Sequence, residues 1–152
     1  MMRPCYLIIC AAMLLFYINP VKGQNKATTF KGAKANKSHY KALYILNSGE
    51  DKRISSTLRN INNALEDPRL KGKLEVELIV FGDGVAVFKK DGKYLENLTT
   101  LKNKGVLLAQ CENTLRERNI NKDELFDFIH FVPSGNGEVI IRQQQGWSVI
   151  HP

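Results

Sequence analysis

Five short apolar runs constrain the fold of this chain more than any other feature: "YKALYILN" (40–47), "KLEVELIVFG" (73–82), "VLLAQ" (106–110), "FIHFV" (128–132) and "WSVI" (147–150). Each has the length of a strand, and the second alternates before becoming continuously apolar, as a strand does on entering the covered middle of a sheet. The segments between them have a different period. "ISSTLRNINNALED" (54–67) puts Ile54, Leu58, Ile61 and Leu65 on one helical face. Asp67-Pro68 ends that helix, because a residue before proline is pushed out of the α region. Leu95, Leu98 and Leu101 predict a second amphipathic helix stopped by Gly105. "CENTLRERN" and "NKDELFD" read as short helical pieces, with Asn121 as an N-cap, and "GEVIIRQQQ" as a last helix.

Strands alternating with helices predict an α/β fold with parallel pairing and helices on both faces of the sheet. Right-handed crossovers limit the topologies. Ligands of such open sheets bind beyond the carboxyl ends of the strands. The segments there are "NSGED" (47–51), "GDG" (82–84), "CENT" (111–114) and "PSGNG" (133–137).

The 152 residues suit one domain, and their formal charge is +7. Six basic residues (Arg3, Lys22, Lys26, Lys31, Lys34 and Lys37) precede His39, which leaves 16 against 15 acidic residues in the rest of the chain. That balance, with no basic stripe interleaved with aromatics, excludes a nucleic-acid partner. Arg3 followed by "CYLIICAAMLLFYI" (5–18) and "NPVKGQ" reads as an export signal over 1–23, cleaved before Gln24. The rival reading is an uncleaved anchor, but its 14 apolar residues fall short of the ~20 that span a bilayer. Cleavage predicts no stable membrane insertion. Residues 24–38 lack a hydrophobic period and read as a flexible basic linker, with the domain at 39–152.

Loss of the signal removes Cys5 and Cys10 and leaves Cys111 alone. An unpaired cysteine in an exported chain is a free thiol, a mixed disulfide or an intermolecular bridge. A buried small hydrophobe is the bland alternative. Cys111 stands where a buried strand ends and a helix begins, so free N–H groups and the helix dipole favour its thiolate, while Glu112 opposes this. Arg116 is a candidate to offset Glu112, and His130 is either a structural histidine or a base for Cys111. Candidate ligand groups are Asn113, Ser48 and Gly49, Gly82 and Gly84, and Ser134, Gly135 and Gly137, whose loops expose backbone N–H groups to an anion. The competing reading of the glycines is a turn that only re-aims the chain. "GDGVAV" has two of the three glycines of a dinucleotide fingerprint, so no nucleotide cofactor is expected. One thiol and three scattered histidines lack zinc spacing, and no metal is expected. Trp147 is read as a core residue.

The succession "ALYILNSGED", "VELIVFGDGV", "KGVLLAQCENTLRERN" and "HFVPSGNGEVIIRQQQGWSVIHP" resembles the DsrE/DsrF-like family over residues 40–152, in particular small single-domain members with "C-x-N-T-L" and "V-P-S-G" segments. The resemblance implies a three-layer α/β/α sandwich with a five-stranded, mainly parallel sheet and a homo-oligomer, a trimer or hexamer. It points to bacteria, hence to the periplasm for an exported chain, although relay members are cytoplasmic. Sulfur-relay members carry sulfane sulfur as a persulfide on a cysteine in the corresponding loop, a role that maps onto Cys111, with donor and acceptor proteins as partners. Two other functions stay open: a non-catalytic binding or assembly module with a buried cysteine, and a thiol redox sensor.

Overall fold

The computed structural model of the protein describes residues 29–152. The expected signal, 1–23, and the start of the expected linker lie outside the described residues; 29–38 contain no helix or strand. Ala33–Pro152 form one compact unit. In chain order it contains β1 (Tyr40–Leu46), α1 (Asp51–Glu66), β2 (Leu74–Val80), a 3₁₀ segment (Gly82–Phe88), α2 (Leu95–Asn103), β3 (Leu107–Cys111), α3 (Glu112–Arg118), a 3₁₀ turn (Lys122–Glu124), β4 (His130–Val132), α4 (Gly135–Gln144) and β5 (Ser148–Ile150). The strands form one sheet in the order β4-β3-β2-β1-β5, with every pairing parallel.

The chain steps from β1 to β4 always toward the same edge, so right-handed crossovers put α1, α2 and α3 on one face. There Ile54, Leu58 and Ile61 of α1, Leu98 and Leu101 of α2 and Leu115 of α3 pack with Ala42, Tyr44, Leu46, Val76, Leu78, Val80 and Leu108 of the sheet. To reach β5 the chain returns past β1, and the same handedness sends α4 to the opposite face. That face is thinner: Leu43, Ile79, Ala109 and Trp147 form its core, with Val139 of α4 against them. The register puts Leu43 beside Glu77 and Ile45 beside Ile79 on this side, with Ala42 beside Val76 and Tyr44 beside Leu78 on the other. Leu43, Ile54, Ile61, Leu78 and Ile79 are wholly buried, each contributing roughly 1.5–3 kcal/mol.

Two segments depart from the helical readings of the sequence. "NKDELFD" makes one 3₁₀ turn, with the Glu124 side chain accepting the Asn121 N–H at 2.7 Å. Beyond that turn Leu125 pairs antiparallel with Lys89, and the Phe126 N–H donates to the Phe88 carbonyl at 3.0 Å. Long-range pairing overrides the local acidic first turn. The "FIHFV" strand is also shorter than expected, because only His130–Val132 pair with β3 and Phe128 instead stacks on Phe126.

The loops after β1 and β2 touch through backbone. A Cβ on Gly84 would collide with the Leu46 carbonyl oxygen, and one on Gly49 would lie 2.9 Å from the Asp83 carbonyl oxygen. Gly84→Ala is therefore expected to destabilise the fold by about 1–3 kcal/mol, read as a lowered urea midpoint. An unchanged midpoint would show that the two loops separate without cost.

Candidate functional site

Cys111 ends β3 and caps α3, with extended backbone (φ −70°, ψ 121°) and no capping bond from its side chain. It is 5 % exposed. Its strand neighbours are Gln110, wholly buried toward the large core, and Val132 across the ladder on β4. Cys111 lines a cleft of about 210 Å³. Phe81 and Gly82, just after β2, form one wall, Asn113, Thr114 and Glu117 the wall from α3, and Ser134, Gly135 and Asn136 the wall from the start of α4. Larger depressions lie between α1 and α2, about 420 Å³, and beneath α3 around Asn119–Lys122, about 720 Å³. Neither contains a thiol.

Much of the rim's hydrogen-bonding capacity is spent inside the protein. The Gly82 N–H donates to Thr114 Oγ1 at 2.9 Å, and the Gly84 N–H to the Phe81 carbonyl at 3.2 Å. The Gly137 N–H donates to Ser134 Oγ at 3.2 Å, which caps α4. Ser48 Oγ accepts the Glu50 N–H at 3.2 Å. Among the described residues, Gly135 and Asn136 keep N–H groups with no acceptor, as the first residues of a helix do. Gly135 is required by space: a Cβ there would lie 2.6 Å from Phe81 Cδ1.

Of the residues expected at the site, the fold thus brings together Cys111, Asn113, Gly82, Ser134 and Gly135. Ser48 and Gly49 follow β1, two strands from β3, and Gly84 and Gly137 are not on the cleft. His130 is exposed and pairs with Ala109, about 6.6 Å back along the strand from the position opposite Cys111. Arg116 turns its guanidinium to Asn113 Oδ1, and Arg118 pairs with Asp83 at 2.6 Å. The charge of Glu112 is answered by Lys122, whose hydrogen bond holds the carboxyl below its usual range.

Sequence reasoning did not single out Phe81, Thr114, Glu117 or Asn136. Thr114 and Asn136 sit inside loops already marked by their place after a strand, and Glu117 follows Asn113 by one helical turn. It also passed over Glu77, a wholly buried carboxylate 2.7 Å from Arg142 Nε, which in turn lies 2.8 Å from Glu138. Burial pushes the Glu77 carboxyl up to about 7 against the opposing pull of Arg142. Among the described residues no cluster of metal-ligating side chains occurs, and no helix is long and apolar enough to cross a membrane.

The sequence matches the model of the DsrE/DsrF-like family over residues 40–152. Among solved structures, a protein of unknown function from Methanobacterium thermoautotrophicum, MTH1491, is 27% identical with a TM-score of 0.70, over 74% of this chain and 99% of its own. The ychN protein from E. coli, at 14% identity and TM-score 0.59, aligns over 75% of this chain and 99% of its own. A conserved protein of unknown function from Bacteroides thetaiotaomicron, BT1422, at 10% identity and TM-score 0.59, aligns over 80% and 100%. The last two share the fold. No curated protein matches the sequence.

Thr114 joins the two loops that flank the thiol. Thr114→Val keeps the shape but strands the half-buried Gly82 N–H, and is expected to cost about 1–3 kcal/mol in urea unfolding. Thr114→Ser should restore most of it. Equal stability of all three proteins would mean that the Gly82 loop is held by packing alone.

Proposed function

Because the chain belongs to the DsrE/DsrF-like family, we propose that Cys111 carries sulfane sulfur as a persulfide and passes it to an acceptor thiol. The observation that carries this reading is the position of Cys111: the carboxyl end of a buried parallel strand, lining a cleft whose far wall is the N-terminus of α4. The Cys111 thiolate attacks the outer sulfur of a donor persulfide, R–S–SH. A new S–S bond forms at Cys111, the donor S–S bond breaks, and the donor leaves as its thiol or thiolate. Attack by an acceptor thiol on the outer sulfur of the Cys111 persulfide reverses these roles and regenerates Cys111. No net oxidant is consumed. The unpaired N–H groups of Gly135 and Asn136, at the positive end of the α4 dipole, favour the anionic persulfide. The cleft admits a few atoms, which suits a terminal sulfur presented by a small polysulfide or by the exposed tip of a donor protein.

The same reading includes export by the segment 1–23 to the periplasm and assembly of identical subunits. Support for assembly comes from Ile140, Ile141 and Val149, apolar and exposed at 63%, 53% and 37% on the thin side of the sheet. One observation favours a second reading, an assembly or binding module with an inert cysteine: Cys111 is only 5 % exposed.

Intact mass after incubation with polysulfide separates the two. Wild type is expected to gain whole sulfur atoms, lost again on reduction, and Cys111→Ser to gain none. No gain in wild type with Cys111 reduced at the start would overturn the carrier reading and leave the inert module.

A further inference from the structure

Two walls of the Cys111 cleft differ in sign. On the α4 side the N–H groups of Gly135 and Asn136 have no acceptor among the described residues and carry the partial positive charge of a helix start. On the α3 side stands Glu117, the only charged residue among those that line the cleft. It follows Asn113 by four positions and Thr114 by three, so the three share one flank of the helix. The cations around it are engaged elsewhere: Arg116 with Asn113 Oδ1, Arg118 with Asp83 at 2.6 Å and Lys122 with Glu112. Arg116 and Lys122 line the separate depression beneath α3.

We propose that Glu117 is a specificity-determining residue of this cleft: its negative charge slows anionic reagents at Cys111 and leaves neutral ones unhindered. As a statement about sulfur donors the inference rests on the carrier reading; as a statement about the cleft it needs only that Cys111 reacts there.

Donor chemistry shows what such a filter selects. With a neutral persulfide, R–S–SH, the Cys111 thiolate brings the only full charge of the reacting pair, and the donor thiolate that leaves carries it away. Thiosulfate brings two more. The Cys111–sulfur bond then forms as the S–S bond of thiosulfate breaks, and sulfite departs with the bonding pair and two negative charges. Three charges would meet Glu117 in a cleft that neither lysine nor arginine lines. The two N–H groups offset a part of one charge. Glu117 thus favours donors that leave as thiols over donors that leave as sulfite.

Six residues of α3 separate Glu117 from Cys111, roughly 9 Å of helix rise. At that distance, in a medium between water and a protein surface, one charge changes the rate of a singly charged reagent about three- to tenfold.

Iodoacetamide and iodoacetate test this, because they alkylate the same thiolate and differ by one negative charge. The ratio of their rates at Cys111, followed by peptide mass at fixed pH and low salt, cancels thiol ionisation. Glu117 is exposed, so its substitutions leave the core untouched. The iodoacetamide-to-iodoacetate ratio is expected to be about three- to tenfold higher in wild type than in Glu117→Gln, and lower again in Glu117→Lys. The differences should collapse at about 1 M KCl, where the screening length is about 3 Å. No sulfur donor takes part, so failure here is separate from failure of the carrier reading. Equal ratios in the three proteins would overturn the proposal, as would a Cys111 that reacts with neither reagent in the folded protein.

Discussion

The handedness of the strand crossovers decides how this small domain is built. Three steps in one direction stack α1, α2 and α3 on one face, and a single reversal after β4 leaves α4 alone on the other. Every feature of the site descends from that asymmetry. The thick side fixes β2 and β3 through wholly buried Leu78, Val80 and Leu108. The thin side supplies the one wall of the Cys111 cleft that is not anchored in the large core.

Energetics on the thin side make sense only with that layering. A carboxylate at 77 is not a stability device, since a leucine beside Leu43 and Leu107 would complete the apolar surface without a desolvation cost. Buried ion pairs replaced by apolar groups are often neutral or stabilising, and here the pair lacks hydrogen-bond geometry. The raised carboxyl of Glu77 says the same thing: between its ordinary range and about 7 the folded state holds a proton that the unfolded chain does not, so its contribution to stability declines as pH rises. Glu77 lies under Arg142 of α4, the helix whose first residues wall the Cys111 cleft.

The legible part of this fold was periodic. Apolar runs of strand length and the Ile54–Leu58–Ile61 stripe specify alternating elements, and the place of Cys111 at the end of the third run specifies a rim position. Illegible were features set by contacts distant in sequence. The Phe88–Phe126 backbone bond converts "NKDELFD" from a helix into a turn and an extended segment. His130 shares a strand with residues that reach the rim, yet its register with Ala109 leaves it too far back to meet the thiol. Glu77 is invisible for a related reason: alternation tells which face it takes, but not that Arg142, 65 positions along by number, covers it.

The glycines carry the sharpest lesson about loops at the end of a sheet. Read as sequence, "GDG" and "SGNG" offer several N–H groups to an anion; folded, Gly82, Gly84 and Gly137 donate to Thr114, Phe81 and Ser134. Their small size serves close packing of one loop on another, Gly84 on Leu46 and Gly135 on Phe81. What remains for an anion is the pair of N–H groups at Gly135 and Asn136. The positive end of a single helix favours an anion modestly, by roughly 0.3–1 kcal/mol at an exposed site and more where water is excluded. Because Gly135 packs against Phe81, these two N–H groups are held at the far wall of the cleft that Cys111 lines, where burial of the neighbouring residues makes their polarity count for more than on an open surface.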